Sequence, residues 1–350
     1  MKRRVFVPTL VLLAGLASSL CFAQAKPARK TLDIYFIDVE GGAATLIVTP
    51  AGESVLLDAG WDQADGRDAK RIQRTMQLAG VTAIDHLVVS HYHRDHYGGV
   101  PELSRLVTVK KFYDHGKMTA LAEDPQFATR YGAYQAAAAG QTITLKPGDT
   151  IPLRTSAGVP PIKLRCVAAN AAVIVGKANP NSECDSGLAK PADTSENGRS
   201  VGLWLSWSGF DFVNLADLTA PISSGLVCPA NLIGEVDLYQ ATHHGGSVAN
   251  SKILLRSLRP TVTVMINGPR KGGDAEMIKL LQGLPAFKAL YQLHRNVQSS
   301  AAENTPAEFI ANLEEEPDEA NMINVAVDAA KRTFVVTNSR TKRSDTYRLK

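Results

Sequence analysis

The stretch Ser90-His91-Tyr92-His93-Arg94-Asp95-His96-Tyr97-Gly98-Gly99 constrains this chain more than any other feature. Four side chains able to bind a metal stand within six positions, directly after residues 84–89, a short run rich in Val and Ile. Such a run reads as a buried strand, and the glycine pair ends the turn after it. A strand end delivers side chains to a fixed place, and the following loop lets them converge. Residues two apart in an extended segment project to the same side, so His91 and His93 can grip one ion. Asp95 and His96 then turn toward a second position. Three of the chain's eight His fall in these six positions beside a carboxylate, which a merely solvated loop explains poorly. Imidazole with carboxylate suits zinc, manganese or iron, and a cluster without Cys argues against a closed structural zinc.

The chain begins with Lys2-Arg3-Arg4, an apolar stretch over 5–22 and the small-x-small run Ala23-Gln24-Ala25. These read as a secretory signal peptide over residues 1–25, so the expected location is periplasmic or secreted. Leu20 before Cys21 makes a poor lipoprotein site. Removing the leader takes away three of the 38 Lys and Arg and none of the 34 Asp and Glu. The mature chain is then close to neutral, without the basic footprint of a nucleic-acid binder. Its remaining cysteines, Cys166, Cys184 and Cys228, form no CxxC pair. An oxidising compartment permits one disulfide, expected between Cys166 and Cys184.

Residues 32–39, 44–49 and 54–57 are expected to form three antiparallel strands separated by the Gly41-Gly42 and Pro50–Glu53 turns. The spacing of Ile72, Met76 and Ala79 predicts a helix over 67–78 that Gly80 stops. Strands are expected at 107–113, 141–153 and 162–167, and a helix over 120–139 that lies across the mouth of the site. Residues 168–199 show no period and read as a long surface insert. Strands at 201–207 and 210–215 pair around Ser208-Gly209, and further strands fall at 236–242, 261–266 and 289–293. Helices are expected at 251–258 and 275–284, and a closing hairpin from 321 to the C-terminus. Strands that outnumber helices early and alternate with them later suit two sheets packed face to face with helices outside, an α/β protein of the αββα type.

The motif HxHxDH after a hydrophobic strand resembles the signature of the metallo-β-lactamase fold superfamily. Its longer form SHYHRDHYGG is similar to the branch that includes the hydrolase domain of the DNA-uptake channel protein ComEC. Asp217-Leu218-Thr219 and Ala241-Thr242-His243-His244-Gly245-Gly246-Ser247 continue that likeness. The resemblance implies one hydrolase domain over 31–350 with a four-layer sandwich. It also implies two metals, Zn2+ with Mn2+ or Fe2+ as substitutes. His91 and His93 would hold one, Asp95 and His96 the other, and Asp217 would bridge them. His243 would complete the second position, with His244 as the alternative ligand or a contact to the scissile group. Asp58, Asp95 and Asp217 are the expected catalytic carboxylates, Asp58 acting by orienting a ligand. Many members supply a further His to the first metal, but no His lies between His115 and His243 here. Ser195-Glu196-Asn197-Gly198-Arg199-Ser200 instead resembles the branch's Asn-x-x-Ser run and would bring Asn197 near that position. In the Gly-rich loop 267–273, Asn267, Arg270 or Lys271 could meet an anion.

The expected function is metal-dependent hydrolysis of an ester-type bond by metal-activated water. A phosphodiester is favoured, and a lactone, β-lactam or other carboxylic ester is the alternative. A secreted metal-binding protein without catalysis is the third reading. The expected partner is the substrate alone, with no membrane contact after leader removal.

Overall fold

The computed structural model describes residues 29–63, 65–184, 193–316 and 320–350. The signal-peptide expectation lies outside these residues. Leu32–Phe36 buries alternate side chains, and Thr45–Val48 and Ser54–Leu57 follow as an antiparallel meander, as their alternation and turns require. From Ser54–Leu57 the sheet continues in parallel through His86–Val88, Phe112–Asp114 and Thr142–Thr144. On its other side Leu32–Phe36 pairs with Ile323–Asp328, which pairs with Thr333–Asn338 and then Ser344–Arg348. The expected closing hairpin is thus a three-stranded extension of the N-terminal sheet.

The second sheet begins with Ala172–Val173, Lys163–Ala169, Gly202–Trp207 and Phe210–Asn214, paired antiparallel. It turns parallel through Leu238–Gln240, Val262–Met265, Ala289–His294 and Ile310–Asn312. Ile34, Phe36 and Val88 of the first sheet meet Leu203, Leu205, Phe212 and Val264 of the second in one apolar layer. Phe36 and Phe212 pack edge-on across it, ring centroids 6.0 Å apart. Truncating a ring in such a layer costs about 3–5 kcal/mol, so the sheets form a stiff platform. Ile72 and Met76 of the helix Arg67–Leu78 cover the outer face of the first sheet, joined by Val100 and Leu103 of Val100–Leu106 and Tyr134 of Phe127–Ala137. Lys252–Leu258 and Ala275–Gln282 cover the second. The order is helix, sheet, sheet, helix.

Among the described residues, no helix is long and apolar enough to cross a membrane. The expected Cys166–Cys184 pair does not form. Cys184 is bonded to Cys228, and Cys166 is a buried free thiol. The reason is sheet geometry: Cys166 faces the layer between the sheets, whereas Cys228 packs with the helices on the opposite face. Burial pushes the Cys166 thiol up to about 12, which leaves it inert at neutral pH. The described part of the stretch read as a surface insert is not all irregular or all surface: Ala172–Val173 forms a strand, and Glu196 is 2% exposed.

The parallel halves fix the place of the site. Asp58, Ser90 and His115 lie just beyond the C-terminal ends of three parallel strands of the first sheet. Asp217 and His243-His244 follow two parallel strands of the second. Polar side chains at strand ends along one edge of the sandwich are what an open α/β sheet offers a ligand.

Candidate metal centre

Asp58 ends its strand in a left-handed turn, φ 61. Its carboxylate accepts hydrogen bonds from the Ser90 backbone N–H at 2.7 Å and the Ser90 hydroxyl at 2.8 Å. The same carboxylate faces His96 Nδ1 at 2.8 Å. With the proton held on Nδ1, His96 presents Nε2 inward. The turn leaves no space to spare, because a Cβ on Gly99 would stand 2.1 Å from the Ala59 carbonyl oxygen. Asp58→Ala should lower metal affinity about 10–100-fold with the fold intact, measured by competition with a chromogenic chelator. Unchanged affinity would remove Asp58 from the site.

One oxygen is the meeting point. Asp217 Oδ2 lies 3.3 Å from His96 Nε2, 3.4 Å from His244 Nε2, 3.7 Å from His243 Nε2 and 3.9 Å from His91 Nε2. Asp95 Oδ2 lies 3.2 Å from His96 Nε2 and 3.1 Å from His244 Nε2. Asp95, His96, Asp217 and His244 thus offer ligand atoms within 4.8 Å of one another, all four buried. His96 Nε2 and His244 Nε2 face each other at 3.3 Å, an arrangement that needs a proton or a cation between them. Two carboxylates and two imidazoles sealed from water form a donor set suited to a divalent ion of the zinc, manganese or iron kind.

The electrostatics agree. Burial opposes charge on Asp95 and Asp217, yet the facing imidazoles and, for Asp95, Lys271 hold both well below the usual carboxylate range. Burial likewise opposes charge on His96 and His244, yet the carboxylates raise both above the usual imidazole value. The polypeptide alone keeps protons where an ion would sit.

Sequence reasoning gave the second position to His243, with His244 as alternative; the structure turns His244 inward. Both residues adopt left-handed backbone angles, φ 52 and 53, so the two rings diverge. The His243 side chain stays 33% exposed beside Asp217. Burial depresses its pKa, helped by His244 and Lys271. His91 Nε2 and His93 Nδ1 approach to 3.1 Å, and His93 Nε2 faces Glu123 at 3.2 Å. The Asn197 side-chain oxygen is buried without a hydrogen-bond partner.

In the loop 267–273 only Lys271 reaches the centre. Its ammonium contacts Asp95 Oδ2 and stands 5.0 Å from the Trp61 ring centroid. The Asn267 side-chain N–H groups donate to the Gly268 and His294 carbonyls while its oxygen is buried without a hydrogen-bond partner, and Arg270 pairs with Glu315. The loop docks tightly: Gly273 N–H donates to the His244 carbonyl, and a Cβ on Gly272, φ +70, would stand 2.1 Å from that oxygen. His294 is fully buried and pairs with Asp38 at 2.7 Å, away from the centre. Sequence reasoning missed Ser90, Glu123 and Glu196. Ser90 was legible as the polar residue before the first His; Glu196 lies in an irregular stretch with no period to flag it.

Residues 37–162 match the family model described as the Metallo-beta-lactamase superfamily. The match spans about a third of the chain, whose two packed sheets with helices outside form the expected α/β sandwich. The match, together with the strand-end cluster, supports that superfamily. Among curated proteins the chain is similar to a metal-dependent hydrolase of Cupriavidus taiwanensis, 29% identical over 28% of this chain and 32% of that one. It is also similar to an atrochrysone carboxyl ACP thioesterase of a Cryptosporiopsis species, 33% identical over 26% of this chain and 29% of the other. The alignments therefore span under a third of either relative. Among solved structures, the metallo-beta-lactamase fold protein YhfI from Bacillus subtilis is 11% identical, covering 75% of this chain and 95% of that chain, TM-score 0.43.

Proposed function

We propose that the chain is an exported metal-dependent hydrolase acting on an ester-type bond, with a phosphodiester as the favoured substrate class. The observation that carries the reading is the convergence of four imidazoles on Asp217 Oδ2. Asp95, His96, His244 and Asp217 would hold one ion; His91 and His93, with Asp217 shared, would hold a second. Ions held there supply an activated water and positive charge for the anion that develops. The chain's own residues do the rest. Asp58 and Ser90 keep the His96 ring aimed. His243, half open beside Asp217, can meet an oxygen of the scissile group. Lys271 gives a cation at the rim for an anionic substrate. The disulfide supports an oxidising compartment and hence export.

The thioesterase relative favours a carboxylic ester or thioester as the second reading. A panel of bis(p-nitrophenyl) phosphate, p-nitrophenyl acetate, a lactone, a β-lactam and an acyl thioester separates the two. Metal-dependent turnover that is greatest on the phosphodiester is expected; turnover confined to the carboxylic substrates would reverse the assignment.

The site also sets a pH dependence. His96 and His244, raised when folded, stabilise the metal-free protein fully below their unfolded value of 6.5 and lose that contribution as pH rises through the folded value. Asp95 and Asp217, lowered when folded, contribute above their unfolded value of 3.8 and lose it as pH falls through the folded value. The cluster therefore helps the metal-free chain most between these two values. Above them the imidazole contribution fades while metal binding strengthens, because the ligands must be deprotonated. The Tm gap between loaded and metal-free protein should widen from about pH 6 to about pH 8. A gap constant over that range would contradict this charge assignment.

A further inference from the structure

We propose that Glu196, held by His115, is a positioning residue for the His91–His93 pair, acting through the peptide between them. The inference rests on the reading that this pair holds a metal. Glu196 Oε1 accepts a hydrogen bond from the Tyr92 backbone N–H at 2.7 Å and faces His115 Nε2 at 2.8 Å. Tyr92 is the residue that separates the two histidines. Its side chain is already fixed: the hydroxyl donates to the Gly116 carbonyl at 2.7 Å, and the ring lies 4.5 Å from that of His115 and 5.0 Å from that of Tyr131. The Tyr92 N–H belongs to the peptide joining His91 to Tyr92. Glu196 holds that peptide by its N–H, so both imidazoles stay on one side of an extended segment.

The same short segment is tied down at two other points. Val201 N–H donates to the Ser90 carbonyl at 2.8 Å, one residue before the pair. Asp193 accepts from the Thr219 hydroxyl, two residues beyond Asp217. Residues 193–201 therefore join the loop of the first sheet to the loop of the second, across the edge where the metal ligands meet.

The choice of a carboxylate is informative. Glu196 and His115 side chains are 0% and 1% exposed, and Glu196 Oε2 is buried with no hydrogen-bond partner. A structural tie alone could be made by a shorter neutral acceptor without burying an unmatched oxygen, which is costly. Outer partners of this kind set ligand orientation, and their loss typically weakens metal binding by about 10–100-fold.

The test is calorimetric titration of metal-free protein with Zn2+, repeated with Co2+ for the ligand-field spectrum. Wild type, Glu196→Ala, Glu196→Gln and His93→Ala are compared, and the equivalent lost in His93→Ala identifies the His91–His93 position. Glu196→Ala should weaken that equivalent about 10–100-fold and leave the other unchanged. Glu196→Gln, which still accepts from Tyr92 N–H, should restore it to within a few fold and recover the cobalt spectrum. If Glu196→Ala does not fold, His115→Phe keeps a ring against Tyr92 while removing the nitrogen that holds Glu196, and should give the same selective loss. Wild-type affinity for both equivalents in the variant that folds, or equal weakening of both, would overturn the proposal. A wild type that binds no equivalent sensitive to His93→Ala would overturn the metal position itself, a result visible before any Glu196 variant is compared.

Discussion

Asp217→Ala is expected to reduce hydrolysis by about a thousandfold or more, corresponding to ~4 kcal/mol or more of lost transition-state stabilisation. The side chain owes this weight to its position. It is 3% exposed, and its Oδ2 is the atom common to His91, His96, His243 and His244. Removing it leaves His96 and His244 facing each other without their shared carboxylate, and it disconnects that pair from His91. Metal titration should show loss of tight binding at the Asp95–His96–His244 group in the same variant. Full activity with intact loading would refute the role of Asp217 as the shared ligand. A stable fold is expected, since the layer beneath is held independently: Thr45 of the first sheet and Asn214 of the second both donate to Gln240 Oε1, at 2.8 and 2.9 Å.

His244→Ala and His243→Ala should differ sharply despite adjacent positions. His244 is buried, touches both carboxylates, and faces the Ile266 carbonyl through Nδ1 at 3.3 Å. Its loss should cost about 100–1,000-fold in kcat/KM together with one metal equivalent. His243 is part exposed and approaches only Asp217 within the donor cluster. Its loss should leave the buried equivalent in place and cost about tenfold, appearing in kcat more than in KM if the ring meets the scissile group. Kinetics and metal content of the two variants, measured side by side, check the assignment. The reverse order of effects would return the buried position to His243.

Much of the fold was legible because its signals are local. The meander from Leu32 to Leu57 and the helix Arg67–Leu78 follow from alternation, glycine turns and a period of 3.6 residues. What was not legible depends on contacts between distant residues. Cys184 pairs with Cys228, 44 residues later, which packs on the helical face of the second sheet. Ser344–Arg348 is polar and exposed on alternate residues, and forms a strand because Thr333–Asn338 offers it a free edge. In the site, the strand ends announced Asp58, His91 and Asp217. The divergence of the His243 and His244 rings rests on two left-handed backbone angles that no spacing rule reveals. Glu196 was hidden for the same reason: its partners, Tyr92 and His115, lie about a hundred residues earlier in the chain.

The most direct test of the central claim is metal content of the protein, purified without chelator and measured by inductively coupled plasma mass spectrometry beside its His244→Ala variant. The account predicts at least one tightly held divalent transition metal per wild-type chain, and loss of that metal in the variant. No metal in the wild type, even after incubation with zinc and manganese, would contradict it.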